Sequence, residues 1–145
     1  MADIINRESL DEILFDALRT VYIFERTKVA LFNLTYTEIY LLQFLRRTKG
    51  VMMNEIAEEM HIPVSTATRM IGRLEKRGLL TRKKDQGDFR KKKVFLKEAG
   101  LKIVSEVENH NNQVIRKNFK KYTRQEIESF IYTAVELKNL LIDSG

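Results

Sequence analysis

The sequence predicts a mainly α-helical fold that contains one small β-hairpin. Most of the 145 residues belong to segments whose apolar side chains recur every three or four positions, which is the period of an amphipathic helix. The period changes to that of short strands only after Gly78. The stretch that contains this change, residues 63–97, is also strongly basic. Pattern and charge therefore both mark this stretch as distinct from the rest of the chain.

The composition is that of an ordinary globular protein, with 43% apolar and 32% charged residues. The length suggests a single domain over residues 1–145. No segment approaches the 18 apolar residues of a membrane span, and the start of the chain lacks the features of a signal peptide, so we expect a cytoplasmic protein. The absence of cysteine excludes thiolate metal sites. With two histidines only, His61 and His110, we expect no metal and no cofactor.

The chain is predicted to begin with two helices. The first, from Arg7 to Leu31, has more apolar surface than one core face needs; the surplus could pack on a second subunit or form a wide core face. The second begins at the capping box Thr35–Glu38, in which each residue bonds the backbone N–H of the other. Leu34 lies before this box, where an apolar residue can staple the helix start. We expect the second helix to run to about Thr48.

A helix-turn-helix is predicted next, because two helices are joined by a turn of three or four residues. The first of the pair spans Met53 to Met60 and the second spans Val64 to Arg77. Pro63 suits the first turn of the second helix, and Gly78 suits its end. We interpret His61 as a turn residue and not as a ligand, because histidine tolerates the left-handed backbone conformation better than most residues.

The second helix of this pair has an apolar and a polar face. The polar face starts with short hydroxyl side chains and continues with arginines. A helix in the major groove reads bases with its first turns, and Arg can hold guanine by two hydrogen bonds; an exposed face without a partner is the alternative. Gly72 either permits close approach of another backbone or only weakens the helix by about 1 kcal/mol. The apolar stripe comprises Val64, Ala67, Met70, Ile71 and Leu74, and the polar face comprises Ser65, Thr66, Arg69, Gly72, Arg73 and Lys76.

A basic β-hairpin is predicted to follow. Its strands are Leu79 to Lys84 and Lys91 to Leu96, and Asp85 to Asp88 has the composition of a turn, in which Gly87 suits a positive φ. The hairpin tip includes Phe89 and Arg90. A helix followed by a basic hairpin is the winged helix-turn-helix arrangement, whose wing contacts phosphates or inserts an arginine into the minor groove.

The charge distribution favours a nucleic-acid partner. Residues 63–97 contain twelve Lys or Arg and three Asp or Glu, a net charge of +9, whereas the whole chain carries +6. A basic segment on a slightly acidic body is typical of nucleic-acid binding. A solvated, lysine-rich face is the alternative for the charge run alone.

Two more helices complete the chain. The first runs from Glu98 to about Lys121 and includes the polar stretch Glu108 to Gln113, which is either an exposed span or a polar layer at an interface. His110 in this stretch is predicted to face solvent. The capping box Thr123–Glu126 starts the last helix, whose apolar stripe from Ile127 to Leu141 suits pairing with another helix.

With its elements in this order, the chain resembles the multiple antibiotic resistance regulator (MarR) family across nearly its whole length. It departs from the family pattern at Lys97, where threonine is usual, and at Gly72, where a polar residue is common. The residues that match are Leu34–Thr35, Glu55 to Ala57, Ser65 to Arg69, Arg73 to Gly78, Asp85 to Arg90 and Val94 to Gly100.

The resemblance implies a transcriptional regulator, usually a repressor, that binds a pseudo-palindromic operator in double-stranded DNA as a homodimer. It implies a DNA-binding lobe at residues 34–97 and dimerisation helices at residues 1–33 and 98–145. Many members release DNA when a small aromatic ligand binds, and members that sense oxidation need cysteine, which this chain lacks. The predicted DNA-binding residues are Ser65, Thr66, Thr68, Arg69, Arg73 and Lys76 on the recognition helix and Asp88, Arg90 and Lys92 in the wing.

Two other classes of function compete with this one. A winged helix can bind protein instead of DNA, and the two are distinguished by salt, which weakens DNA binding steeply. An enzyme needs a nucleophile or an acid–base pair in a pocket. The sequence has no cysteine, no recognisable Ser–His–Asp set and no phosphate-binding loop, so we expect no enzymatic activity.

Overall fold

The computed structural model describes residues 6–88 and 90–143, and this part of the chain contains six helices and three short strands. The predicted mainly α fold with a small hairpin is confirmed, and every predicted helix end lies within two residues of the observed one. Phe89, which we placed near the hairpin tip, lies outside the described residues. The elements are α1 (Arg7–Phe32), α2 (Tyr36–Arg46), β1 (Val51–Met52), α3 (Met53–Met60), α4 (Val64–Lys76), β2 (Leu80–Lys84), β3 (Lys92–Leu96), α5 (Glu98–Phe119) and α6 (Arg124–Leu141).

The sheet contains a strand that the sequence analysis missed. The three strands are antiparallel in the order β1-β3-β2, with Val94 of β3 paired to Val51 on one side and to Arg82 on the other. A strand of two residues is too short to show any alternation, so no periodicity could have indicated β1.

Most of the predicted turn chemistry is present. His61 has the left-handed conformation (φ 54°) and ends α3, its N–H donating to the carbonyl of Glu58. Gly78 (φ 75°) ends α4, whereas Gly87 does not have a positive φ. The expectation of a positive φ at Gly87 is therefore not met; a backbone hydrogen bond from the N–H of Asp85 to the carbonyl of Lys91 (2.8 Å) closes this turn.

Two further details of the helix-turn-helix differ from expectation. Pro63 is the N-cap of α4 and lies just before its first turn, with φ −61° and ψ 149°. Val64 was assigned to the apolar stripe but is 51% exposed. It is the first residue of α4, a full turn before Ala67, and its side chain lies outside the core cluster.

A single cluster of buried apolar residues joins α2, α3, α4, the sheet and the first half of α5. Burial of this apolar surface is the main stabilising contribution to such a fold. The largest fully buried side chains of this core are Leu41, Leu42, Ile56, Ile71, Leu74, Leu80, Val94, Val104 and Val107. Helix α4 is therefore packed on this core through its apolar residues from Ala67 to Leu74.

Both predicted capping boxes are confirmed. At α2, the Thr35 side chain accepts from the N–H of Glu38 (3.1 Å) and the Glu38 carboxylate accepts from the N–H of Thr35 (2.9 Å). At α6, Thr123 and Glu126 make the same reciprocal pair.

The chain divides into two compact units, one ending at Val107 and the other beginning at Glu108. In the second unit, Tyr122 and Phe130 make an edge-to-face pair with ring centroids 5.0 Å apart. His110, predicted to face solvent, is half-buried. None of the residues of α6, all of which the structure describes, is buried.

Helix α1 exposes most of its apolar side chains. Its one buried residue is Lys28, 3% exposed, whose ammonium group pairs with Glu25 at 2.7 Å and lies 4.6 Å from the centre of the Phe24 ring. Within the described residues, no helix is long and apolar enough to cross a bilayer. The exposed apolar residues of α1 are Leu10, Ile13, Leu14, Phe15, Leu18, Val21, Tyr22, Ile23 and Leu31.

Candidate nucleic-acid interface

Helix α4 has one buried face and one exposed face. Ala67, Met70, Ile71 and Leu74 are buried in the core, which leaves the opposite side of the helix in solvent. Of the predicted contacts on this helix, Thr66 is half-buried and the other five are exposed. The exposed five are Ser65, Thr68, Arg69, Arg73 and Lys76.

These exposed residues follow helical spacing, so they form one continuous surface. Ser65 and Thr68 lie near the start of the helix, where side chains are short. The Thr68 hydroxyl donates to the carbonyl of Val64 (2.8 Å), and its oxygen remains able to accept a hydrogen bond. The exposed Val64 adds an apolar group at the same end, of a kind that can contact a thymine methyl.

The arginines of α4 have different environments. Arg69 makes no ion pair or side-chain hydrogen bond with any of the residues in 6–88 and 90–143. Arg73 is 62% exposed, and its Nε lies 3.8 Å from Oε2 of Glu38, which is 8% exposed. Arg77 was not among the predicted contacts; its Nη1 donates to the backbone carbonyl of Asn33 (2.8 Å).

The end of α4 is connected firmly to the wing. Backbone hydrogen bonds from Gly78 to Glu75 and from Leu79 to Leu74 close the helix. Glu75 then pairs with Arg82 of β2 at 2.8 Å. The hydrogen bond from Arg82 lowers the pKa of Glu75 and raises that of Arg82, so both groups stay charged. Arg82 therefore already has an ion-pair partner within the protein.

Two aspartates make contacts near the wing tip. The Asp88 carboxylate accepts a hydrogen bond from the backbone N–H of Arg90 (3.0 Å), which is the local turn that Asp side chains favour. Asp85 pairs with Lys93 at 3.5 Å. Arg90 and Lys92 are exposed and Asp88 is half-buried. The predicted wing residues are therefore adjacent, with Asp88 acting on the backbone and the two cations facing solvent.

The long-range contacts of Arg73 and Arg77 are features that the sequence analysis missed. Glu38 was recognised for its capping box, and Arg77 only for its charge. Their partners lie 35 and 44 positions away in the sequence, and no local pattern reports such a pairing. The spacing of the two arginines by four residues, one turn of α4, was the available signal that they act together.

An apolar groove of about 390 Å³ lies on α1 and the start of α2. It is partly open to solvent, and Glu25 and Arg26 are also among its lining residues. Among the described residues there is no cluster of three His, Asp or Glu side chains suited to a metal ion. The apolar and aromatic part of the groove comprises Leu18, Val21, Tyr22, Val29 and Tyr36.

Comparisons with known proteins agree with this geometry. The model of the MarR family matches residues 34–92, from the residue before the α2 capping box to the start of β3. YsmB of Bacillus subtilis, an uncharacterised HTH-type transcriptional regulator, is 30% identical over 98 residues, which are 68% of this chain and 67% of YsmB.

Solved structures show the same fold. A MarR family protein from Bacillus stearothermophilus has a TM-score of 0.84 at 20% identity, over 96% of this chain and 99% of that one. FabT of Streptococcus pneumoniae, solved in complex with DNA, has a TM-score of 0.78 at 18% identity, over 94% of this chain and 97% of FabT.

Proposed function

Because this chain belongs to the MarR family, whose members are transcriptional regulators and not enzymes, we propose that it represses transcription by binding a pseudo-palindromic operator as a homodimer. The observation that carries the proposal is the exposed face of α4, on which short hydroxyl side chains precede two arginines. This face is rigidly backed by the core. FabT, which has the same fold, was solved with DNA.

In this proposal α4 enters the major groove and reads bases. Ser65, Thr66 and Thr68 allow close approach at the first turns, where recognition helices contact base edges. Arg69 and Arg73 are the candidates for guanine, which Arg binds by two hydrogen bonds. Lys76, further along the same face, neutralises a phosphate.

The wing contacts the DNA backbone in this proposal. Arg90 is exposed at the hairpin tip, where it can contact a phosphate or enter a narrow minor groove. Asp88, the third predicted wing residue, holds the turn through the N–H of Arg90 and so helps to place Arg90 at the DNA. Lys92 adds a second cation on β3.

The homodimer explains the exposed apolar surface of the first and last helices. Soluble monomers rarely expose large contiguous apolar patches, yet α1 and α6 present apolar side chains along their length. Two chains related by a two-fold axis would present two copies of α4, and the operator would then be a pseudo-palindrome.

A small aromatic ligand is proposed to release the DNA. The groove on α1 has a size within the usual range for ligand sites and is lined by two tyrosines and three aliphatic side chains. The groove also contacts Thr35, the N-cap of α2. A ligand there would therefore touch the segment from which α2 starts.

Selection of bound duplexes from a random pool tests the proposed function. We expect an inverted repeat whose half-sites lie about 10 bp apart, centre to centre. Binding to the selected site should weaken steeply as salt rises, because released counterions drive the association. A reporter gene with this site in its promoter should be expressed less when the protein is present. Enrichment of no sequence, with binding that does not respond to salt, would favour the protein-binding winged helix instead.

A further inference from the structure

Two arginines fasten the second half of the recognition helix to the corner between α1 and α2. Arg77 donates to the carbonyl of Asn33 (2.8 Å), a residue held in the left-handed conformation at the end of α1. One turn earlier, the guanidinium of Arg73 lies 3.8 Å from the carboxylate of Glu38. Both partners belong to the α1–α2 corner, outside the helix-turn-helix itself.

The Glu38 side chain has hydrogen-bond partners other than Arg73. One oxygen accepts the N–H of Thr35 (2.9 Å), and the N–H of Glu38 donates to the Thr35 hydroxyl (3.1 Å). The side chain is 8% exposed, and attraction between charges is stronger away from bulk water. Glu38 is therefore an immobile anion at the side of α4.

Arg73 faces Glu38 at one end and solvent at the other. The atom nearest to Glu38 is Nε, whereas a guanidinium has five N–H donors in a rigid plane. The side chain is 62% exposed on the face proposed to meet DNA. The attraction between this guanidinium and Glu38 favours orientations that turn Nε toward the carboxylate and the remaining donors away from it.

We propose that Glu38 is a positioning residue that determines sequence specificity: its carboxylate orients the Arg73 guanidinium so that the terminal N–H groups are aimed at a base edge. The inference rests on the proposed DNA-binding function. An arginine already held in place loses less conformational entropy on binding, and two parallel hydrogen bonds to guanine require a defined plane. Glu38 does not touch DNA.

This role predicts opposite effects on the two kinds of binding. Glu38→Gln keeps an oxygen for the cap hydrogen bond and removes the charge that holds Arg73. With one negative charge fewer near the DNA surface, affinity for a scrambled duplex should stay constant or rise. The ratio of operator affinity to scrambled affinity should fall by about three- to tenfold for each chain. A merely structural defect would lower both affinities together.

The matched control is Glu126→Gln. Glu126 makes the same reciprocal cap with Thr123 at the start of α6 and has no ion pair with any described residue. The substitution removes the same charge and alters the same kind of cap. We expect its specificity ratio to equal that of the wild type. Thermal unfolding of each variant checks that it is folded. If Glu38→Gln does not fold, Glu38→Asp is the second variant, because it keeps the charge and moves the carboxylate away from Arg73. This variant should also lower the ratio of operator affinity to scrambled affinity.

A double-mutant cycle tests whether Glu38 acts through Arg73. In the Arg73→Met background, Glu38→Gln should cause no further loss of specificity, because the group that it positions is absent. An unchanged ratio in Glu38→Gln, or an equal loss with and without Arg73, would overturn the inference. A wild-type protein that binds no duplex preferentially would instead refute the proposed function, and the positioning role with it.

Discussion

Asp88 and Arg90 have different roles at the wing tip, although they lie two residues apart. Asp88 is engaged with the backbone of Arg90, and the Arg90 guanidinium has no ion pair with any described residue. Arg90→Ala should therefore leave the fold intact and weaken binding to all duplexes. If Arg90 neutralises a phosphate, the slope of log affinity against log salt should fall by about one unit per chain, hence about two per dimer.

The control for Arg90→Ala is Lys120→Ala, which removes an exposed cation outside the basic segment. Fluorescence anisotropy across a salt series measures both slopes, and we expect the slope to stay constant in Lys120→Ala. A loss that grows with A·T content beside the half-sites would mean that Arg90 reads minor-groove width. If Arg90→Ala binds DNA with wild-type affinity, the wing is not part of the interface.

Arg69 and Arg73 are both exposed arginines of α4, but we expect their removal to have different effects. Arg69 has no ion pair or side-chain hydrogen bond with the described residues, so its loss should change DNA binding and not the stability of the protein. Loss of Arg73 would also leave the Glu38 carboxylate, 8% exposed, with the N–H of Thr35 but without its ion pair, and a buried charge that loses its ion pair is destabilising. Operator affinities of Arg73 variants should for this reason be compared with their unfolding temperatures.

At the scale of the elements, two helical glycines provide a matched pair of tests. A Cβ at Gly100 of α5 would clash with the carbonyl oxygen of Leu79, whereas a Cβ at Gly72 of α4 would meet nothing within 4 Å. Gly100→Ala should force α5 away from the backbone before β2 and lower stability by about 1–3 kcal/mol. Gly72→Ala should raise it by about 0.5–1 kcal/mol.

Urea unfolding of both variants measures these changes, and DNA binding by Gly72→Ala decides between the two interpretations of that residue. If Gly72 lets the DNA backbone approach α4 closely, the more stable variant should bind its operator less tightly. Equal affinity would mean that Gly72 only weakens the helix. A Gly100→Ala variant as stable as the wild type would contradict the close packing of α5 on Leu79.

The sequence predicted those elements whose signals are local. The capping boxes at Thr35 and Thr123, the left-handed His61 and the stop at Gly78 each depend on residues within a few positions, and each is present. Strand β1 depends on its pairing with β3, which is more than 40 residues away. The exposure of Val64 likewise depends on where the core ends.

The same distinction between local and long-range signals applies to the candidate site. Helical spacing alone placed the polar residues of α4 on one face, because that periodicity is a property of the helix. Which arginines of that face are occupied within the protein depends on the α1–α2 corner, and only the folded chain brings Glu38 to Arg73. Site residues were thus predictable as a surface and not as individual contacts.

At the scale of the whole molecule, the apolar surface of α1 and α6 points to a second copy of the chain. Leu18 is 66% exposed, so in a monomer Leu18→Glu would replace one exposed side chain by another and change stability by less than about 0.5 kcal/mol. In a homodimer that buries Leu18, the same substitution places a charge in an apolar interface, which is strongly unfavourable. The two assemblies therefore predict different outcomes for one variant.

Sedimentation velocity at micromolar concentration should give the wild type a mass near twice the 17.1 kDa of the chain. Leu18→Glu should sediment as a monomer or unfold at a lower temperature, since obligate dimers often have no stable folded monomer. The control is Thr20→Glu, which adds the same charge two positions along α1, on nearly the opposite face of the helix, at a residue that is already polar and exposed. It should remain a dimer. A wild-type monomer, or a Leu18→Glu dimer of unchanged stability, would contradict dimerisation through this face of α1 and would leave the single chain to bind one asymmetric half-site.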